Sequence, residues 1–392
     1  MTSEWHEVPL RELVGYISKG IAPSYAEEAS ETTIRVLNQK CNRNFRISYG
    51  DSRLHDTLKK KVPPERYVKP DDILINSTGA GTAGRIAQIE DVPSATTIDG
   101  HMTLIRSNGK VTQKFLGYAL KAHQWEVLQL DEGSTGQTEL NRDRLLDEIM
   151  INYPVSFDEQ NAIVGTLESI DRKLIVNEQL NDNLQQQAAA LFANFYDQAE
   201  TEVGFTEMIQ ILGGGTPKTG ESSYWNGDIP FFTPKDVGFP YTLTTEKTIT
   251  EEGLAHCNSR LYPINTVFVT ARGTVGKVGL PGVPMAMNQS CYALVGKDTH
   301  QLLVYYYTLK AVDRLKHKAS GAVFDAITTR DFEAENIMKL SDDDTKAFLD
   351  VAEPIYQAVL NNSIENLRLS ELRDSLLPKL MNGEIDVTDI RL

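Results

Sequence analysis

Cysteine is scarce in this 392-residue chain, which carries only Cys41, Cys257 and Cys291, far apart and without a CxxC pair. That spacing excludes a disulfide framework and a cysteine-rich zinc site. His256 beside Cys257 would need a second ligand pair nearby, and the sequence offers none. No run approaches the ~20 apolar residues that cross a bilayer. The opening, Met1-Thr-Ser-Glu-Trp-His-Glu7, is polar and acidic, unlike the basic, then apolar, start of a secretory signal. These absences predict a soluble protein of the reducing cytoplasm with no membrane partner.

Catalytic signatures are missing as well. There is no GxSxG, no HExxH and no Asn-Pro-Pro-Tyr-like string for methylating an exocyclic base nitrogen. Two glycine-rich strings invite a nucleotide reading and fail it. Gly79-Ala-Gly-Thr-Ala-Gly84 satisfies GxGxxG, with Asp99 twenty residues on, but continues as Arg85-Ile-Ala-Gln-Ile-Glu-Asp-Val-Pro93. That alternation is a strand's, whereas a pyrophosphate site needs a helix opening on the last glycine. Gly273-Thr-Val-Gly-Lys277 lacks the first glycine of a P-loop and has Val278 where the Mg²⁺-binding Ser/Thr should stand. A tight strand–turn–strand with Arg85 or Lys277 at its tip fits both strings better.

What the chain has is a repeat. Ile34-Arg-Val-Leu-Asn-Gln-Lys40 returns as Ile229-Pro-Phe-Phe-Thr-Pro-Lys235, and Gly81-Thr-Ala-Gly-Arg85 returns as Gly273-Thr-Val-Gly-Lys277. Arg142-Asp143 with Ile149-Met150 returns as Arg330-Asp331 with Ile337-Met338. The order never reverses. A unit near 190 residues is far longer than the ~20–50-residue period of a solenoid or propeller, so two complete domains are expected.

Net charge is −15, which looks wrong for a protein that touches nucleic acid. Its distribution reverses that impression: residues 1–155 carry −2 and 201–340 carry −1, while 156–200 and 341–392 carry −6 each. Within the first module, 40–69 is locally +6. A basic patch can bind phosphates on an acidic chain; a solvated lysine-rich loop is the competing reading.

The two acidic segments read as long helices. From 158 to 196 there is no proline, and Ile163, Leu167, Ile170, Leu174, Leu180, Leu184, Ala188, Leu191 and Phe195 recur in steps that are mostly three or four. Phe348, Ala352, Ile355 and Val359 repeat the pattern 185 residues later, with Leu376 and Leu380 answering Leu191 and Phe195. That is close to the period of a coiled-coil seam, in which Asn177 and its counterpart Asn362 would fix register; asparagines facing solvent are the competing reading. Each helix would run ~60 Å at ~1.5 Å per residue. A helix with one apolar stripe needs a partner helix, here its own repeat returning antiparallel, and the pair would serve as a ruler.

The expected fold is α+β: two similar mixed α/β modules, 1–155 and 201–340, separated by helical segments 156–200 and 341–392 that pair as an antiparallel coiled coil. Short apolar runs predict strands at Ile34–Leu37, Asp72–Asn76, Arg85–Ile89, Met102–Ile105, Ile229–Phe232, Val267–Thr270 and Ala293–Val295. Helices are predicted at 112–128 and 300–318, ahead of turns at Gly133–Gly136 and Ser320-Gly321.

Candidate DNA-contacting residues follow from chemistry. Amides and arginines can pair with base edges, and lysines with phosphates. In the first module these are Asn38, Lys40, Arg43, Arg46, Lys59, Lys60, Lys61, Arg85 and Gln137; in the second, Lys218, Lys235, Arg272, Lys277, Lys316 and Lys318. Loop asparagines and glutamines also close turns, which competes with each such assignment.

The whole chain resembles the specificity subunit of type I restriction–modification systems. The resemblance rests on Trp5…Pro9-Leu10…Gly20-Ile-Ala-Pro23, the two Gly-Thr-x-Gly-basic turns, Pro154-Val-Ser-Phe-Asp-Glu-Gln160 and Leu376-Leu-Pro-Lys-Leu-Met-Asn-Gly-Glu-Ile-Asp-Val387. It implies two target recognition domains, each reading half of a split, asymmetric double-stranded DNA site. It implies docking of two methyltransferase subunits on the helices, with restriction/translocase subunits joining. S-adenosylmethionine, ATP and Mg²⁺ would then sit on those partners, and this chain would bind no cofactor and catalyse nothing. Ser341-Asp-Asp-Asp-Thr-Lys346 departs from the family's Glu-Gln pair, which predicts unequal docking surfaces. A different class of reading is an acidic coiled-coil scaffold without DNA readout.

Overall fold

The computed structural model describes residues 4–79, 81–132, 139–238, 240–318 and 326–387. The chain divides into two compact units: 1–172 with 370–392, and 173–369. Sequence boundaries at 155, 200 and 340 mark the ends of elements, but each compact unit takes a share of both long helices.

In the first unit a four-stranded sheet holds Val14–Lys19, Met102–Ser107, Ile73–Asn76 and Ile86–Gln88 in that order. The strand Ile73–Asn76 is buried throughout. Its side chains alternate between two cores, as a period of two requires. Ile73 and Ile75 pack with Phe115, Leu116, Leu10 and Leu13, a cluster that Ile163, Leu167, Leu377 and Leu380 of the long helices complete. Leu74 points the other way, to Leu37, Ile98, Met102 and Leu104. A second sheet pairs Thr33–Leu37 in parallel with Thr96–Ile98 and antiparallel with Arg53–Asp56.

The second unit repeats this construction. Ile209–Gly213, Cys291–Gly296, Val267–Thr270 and Val278–Pro281 stand in the same order. Val267 and Val269 face the helix-side core with Leu303 and Tyr307, and Phe268 faces Phe232, Met285 and Met287. Phe231-Phe232 runs parallel to Ala286-Met287. Strand Trp5–Pro9 closes the first module against Met150–Pro154, as Thr201–Gly204 closes the second against Asn336–Lys339.

All seven predicted strands are present, six within a residue or two and the seventh extended at its start to Trp225–Phe232, and the predicted helices are Gln113–Ala122 with Gln124–Val127, and Gln301–Lys318. The turns expected at Gly133–Gly136 and Ser320-Gly321 lie outside the described residues.

The long helices are Phe157–Gln198 and Asp342–Met381. In the second unit they run antiparallel: Lys173 meets Glu365 at 3.0 Å, Asn177 donates to Glu365 and Asn366, and Asn181 accepts from Asn362 at 2.8 Å. In the first unit Arg373 donates to Asp171 at 3.1 Å. The seam differs from the predicted stripe at its middle. Leu180 is 45% exposed, while Asn177, Asn181 and Gln185 are buried. The buried steps continue from Leu174 through these three polar residues to Ala188 and Phe192; of the predicted run Ala188 is buried and Leu184, Leu191 and Phe195 pack half-buried against the core, while Leu180 faces outward. Asn177 does occupy the seam.

Gln160 stands in the first turn of the first long helix. It is fully buried, accepts from the Thr112 amide at 2.8 Å and donates to the Pro154 carbonyl at 2.9 Å. Glu159 accepts from the Trp5 indole at 3.2 Å. The Glu-Gln pair therefore fastens the helix start to its own module. In the second unit Asp344 and Thr345 stand at the places of Glu159 and Gln160, and Ser341 caps the helix by accepting from the Asp344 amide as Ser156 accepts from that of Glu159.

Candidate nucleic-acid interface

The repeated turns have one geometry. Gly81 and Gly84 have φ of 68° and 84°, and Gly273 and Gly276 have 83° and 74°, a left-handed region that favours glycine. The Gly84 amide donates to the Asn76 carbonyl and the Gly276 amide to that of Thr270, both at 2.8 Å. Asn76 and Thr270 in turn donate to the Arg85 and Lys277 carbonyls, both at 2.9 Å. A strand, not a helix, follows each turn, which disposes of both nucleotide-loop readings. Helices pack close behind: a Cβ on Gly84 would lie 2.9 Å from the Val127 carbonyl, and one on Gly276 would lie 2.6 Å from Lys316 Cε.

Arg85 and Lys277 are exposed beside these turns. In the first unit Lys40, Arg43 and Arg46 lie on the neighbouring loop, tied to the turn because Asn42 donates to Asn76 and to the Arg85 carbonyl. Arg43 is exposed and 3.7 Å from Asp51, and Arg46 is half-buried. Asn38 proves to be a turn-closer. It accepts from the Lys40 amide and donates to the Asp51 carbonyl, both at 2.9 Å, so its amide is spent on the backbone.

Lys59, Lys60 and Lys61 are exposed but stand elsewhere. The pairing of Thr33 with Asp56 and Val36 with Arg53 puts them past one end of the strand pair, whereas Asn38–Lys40 leave from the other. Four residues of strand separate the ends, roughly 13 Å. The basic run 40–69 is thus two patches. Lys60 also donates to the Ala22 carbonyl at 2.9 Å. Gln137 lies outside the described residues.

In the second unit Arg272 is exposed on the glycine turn and Lys316 packs beside it. Lys235 is exposed, 3.7 Å from Glu246. Lys218 is exposed on the loop before Trp225–Phe232, its carbonyl accepting from the Trp225 indole. Lys318 is occupied within the fold, where it and Arg314 together neutralise the buried Glu335.

Sequence reasoning named Gln39 with its neighbours Asn38 and Lys40 as able to pair with base edges but passed over Thr78 and His101, which the first unit brings to it. Thr78 Oγ lies 2.7 Å from His101 Nδ1 and donates to Gln39 Oε1 at 3.4 Å. Only the close spacing of Gln39 to Asn38 and Lys40 hinted at it. Among the described residues no group of three or more His, Cys, Asp or Glu could hold a metal, and no helix is long and apolar enough to cross a membrane.

Two modules of one fold, each with an exposed basic turn and joined by paired helices, define a duplicated recognition protein. The family model for the type I restriction modification DNA specificity domain matches twice, over residues 2–186 and 201–339, and the chain belongs to that family. Similar curated proteins include the HindI specificity subunit of Haemophilus influenzae, 30% identical over 46% of this chain and 40% of that one. The MjaIX specificity subunit of Methanocaldococcus jannaschii is 32% identical over 30% of this chain and 29% of its own length. The aligned stretches span less than half the length of these relatives. The S subunit structure from M. genitalium has the same fold, with a TM-score of 0.61 at 14% identity over 97% of this chain and 96% of that one.

Proposed function

We propose that this chain is the non-catalytic, sequence-specific DNA-binding subunit of a type I restriction–modification complex. Each module reads one half of a bipartite, asymmetric double-stranded site, and the paired helices set the gap between halves and dock two methyltransferase subunits. Restriction/translocase subunits join for cleavage. S-adenosylmethionine, ATP and Mg²⁺ are held by those partners, and the complex works in the cytoplasm. The observation that carries this reading is the double construction of one scaffold with an exposed cation, Arg85 or Lys277, at the same place in each copy. Cations so placed suit phosphates flanking a base that neighbouring side chains inspect.

Fluorescence titration of random duplexes, with and without methyltransferase subunits, tests it. Binding should weaken steeply as salt rises. An acidic scaffold would show no salt-dependent binding in either case. S-adenosylmethionine binding by the isolated chain, seen calorimetrically, would overturn the assignment of chemistry to partners.

A further inference from the structure

In each unit two parallel strands end at the same place, and the glycine turn is drawn to that place. Past Leu37 and Ile98 the first unit continues as Asn38-Gln39 and Asp99-Gly100-His101. The Ser77 amide donates to the His101 carbonyl at 2.7 Å, which sets Thr78 beside both continuations. The second unit does the same: past Phe232 and Met287 come Thr233-Pro234 and Asn288-Gln289, and the Ala271 amide donates to the Ser290 carbonyl at 2.8 Å. Arg272 stands in the position of Thr78, with Pro234 in that of Gln39.

The side chains at this edge differ from the flanking lysines. The Gln39 carbonyl accepts from Asn76 Nδ2 at 3.2 Å, and its side-chain oxygen accepts from Thr78. Among the described residues no hydrogen bond uses its amide nitrogen. A carboxamide so held can donate to adenine N7 while its oxygen accepts from N6. His101 is exposed, with Nδ1 occupied by Thr78, and among the described residues no hydrogen bond uses its Nε2. In the second unit the amide is Gln289, exposed and anchored to Thr216 through its oxygen, and the guanidinium of Arg272 can pair with guanine O6 and N7.

We propose that the carboxyl end of the parallel strand pair is the base-reading edge of each unit, with Gln39, oriented by Thr78 and His101, reading an adenine in one half-site and Arg272, beside Gln289, reading a guanine in the other. This rests on the DNA-binding function proposed above.

The test is selection of bound duplexes from a randomised pool by the complex with its methyltransferase subunits, comparing the unaltered chain with Gln39→Leu and Arg272→Leu. Gln39→Leu should lose roughly tenfold or more discrimination at one A·T pair in one half-site. Arg272→Leu should do so at one G·C pair in the other, each leaving the opposite half intact. Neither should change the thermal midpoint, nor Gln39→Leu the salt slope. Should a leucine variant unfold, Gln39→Glu and Arg272→Lys preserve size and should change the preferred base. An unchanged motif, or an equal loss on all sequences, overturns the proposal. If the unaltered complex shows no sequence preference, the DNA-reading function falls and takes this assignment with it.

Discussion

The two units fasten the same helix to the same rod by opposite chemistry. Tyr118 and Tyr306 are equivalent, each five residues past a glutamine that clamps the neighbouring strand, Gln113 to Ile105 and Gln301 to Leu294. In the first unit Tyr118 and Lys121 meet Asp171 at 2.9 and 3.2 Å, and Arg373 meets it at 3.1 Å. In the second, Tyr356 occupies the place of Asp171 and bonds the Tyr306 hydroxyl at 3.0 Å. Phe192 stacks on Tyr306 at 4.8 Å and Phe348 meets it edge-on at 5.3 Å. A charged joint is directional and depends on protonation, whereas an aromatic one holds by buried area. Duplication preserved the backbone frame and left the fastening free to diverge.

The largest expected contrast is in stability. Phe192→Ala should cost about 3–5 kcal/mol, and Asp171→Ala about 1.5–3 kcal/mol through lost charge-assisted hydrogen bonds. Hydrogen exchange on the intact chain should localise each loss to its own unit; equal loss in both units would erase the distinction.

Next comes DNA affinity. Reversing charge at Lys59, Lys60 and Lys61 should weaken binding to all sequences alike and lower the log–log salt slope by about 3. Unchanged affinity, or loss at one sequence only, would refute a phosphate role for this second patch.

Acid and alkali should separate the joints more gently. Burial alone would raise the Asp171 carboxyl, but Lys121, Tyr118 and Arg373 together outweigh it and hold it below its ordinary 3.8. Its stabilising contribution is therefore full above that value and lost as pH falls through the lower folded value. The stability gap between the unaltered chain and Asp171→Asn should shrink there. Tyr305 belongs to the aromatic joint, its ring edge-on to Tyr356 at 5.7 Å; burial pushes it up to about 12, so its contribution is complete below its ordinary 10.0 and fades as pH rises towards 12. Denaturation of Tyr305→Phe against the unaltered chain across that alkaline range checks the second half.

The smallest effect tests the repeat itself. Arg85→Gln and Lys277→Gln should each lower the salt slope by about 1. A clear inequality would mean that only one turn faces the duplex.

Much of this architecture was legible because it is local. The buried strands Ile73–Asn76 and Val267–Thr270 are short apolar runs, and positive-φ glycines recur in one spacing. What stayed hidden depends on distant partners. Asn181 and Gln185 read as polar interruptions beside the expected seam residue Asn177, and the place of Asn181 shows only when Asn362 arrives to bond it. Gln160 entered only as part of a motif, and its role shows when Thr112, forty-eight residues earlier, donates to it. The basic run split because a strand reversal carried Lys59 away from Lys40. His101 joins Gln39 across sixty residues through a single threonine, a convergence no spacing rule announces.

The first unit's core draws Leu10 and Leu13 together with Leu377, Leu380 and Met381. On a ribosome, residues 173–369 emerge before those last three. The second unit can therefore finish first, while the earlier-made portion waits with an unfilled groove. Chaperone occupancy during translation should be prolonged on the amino-terminal portion.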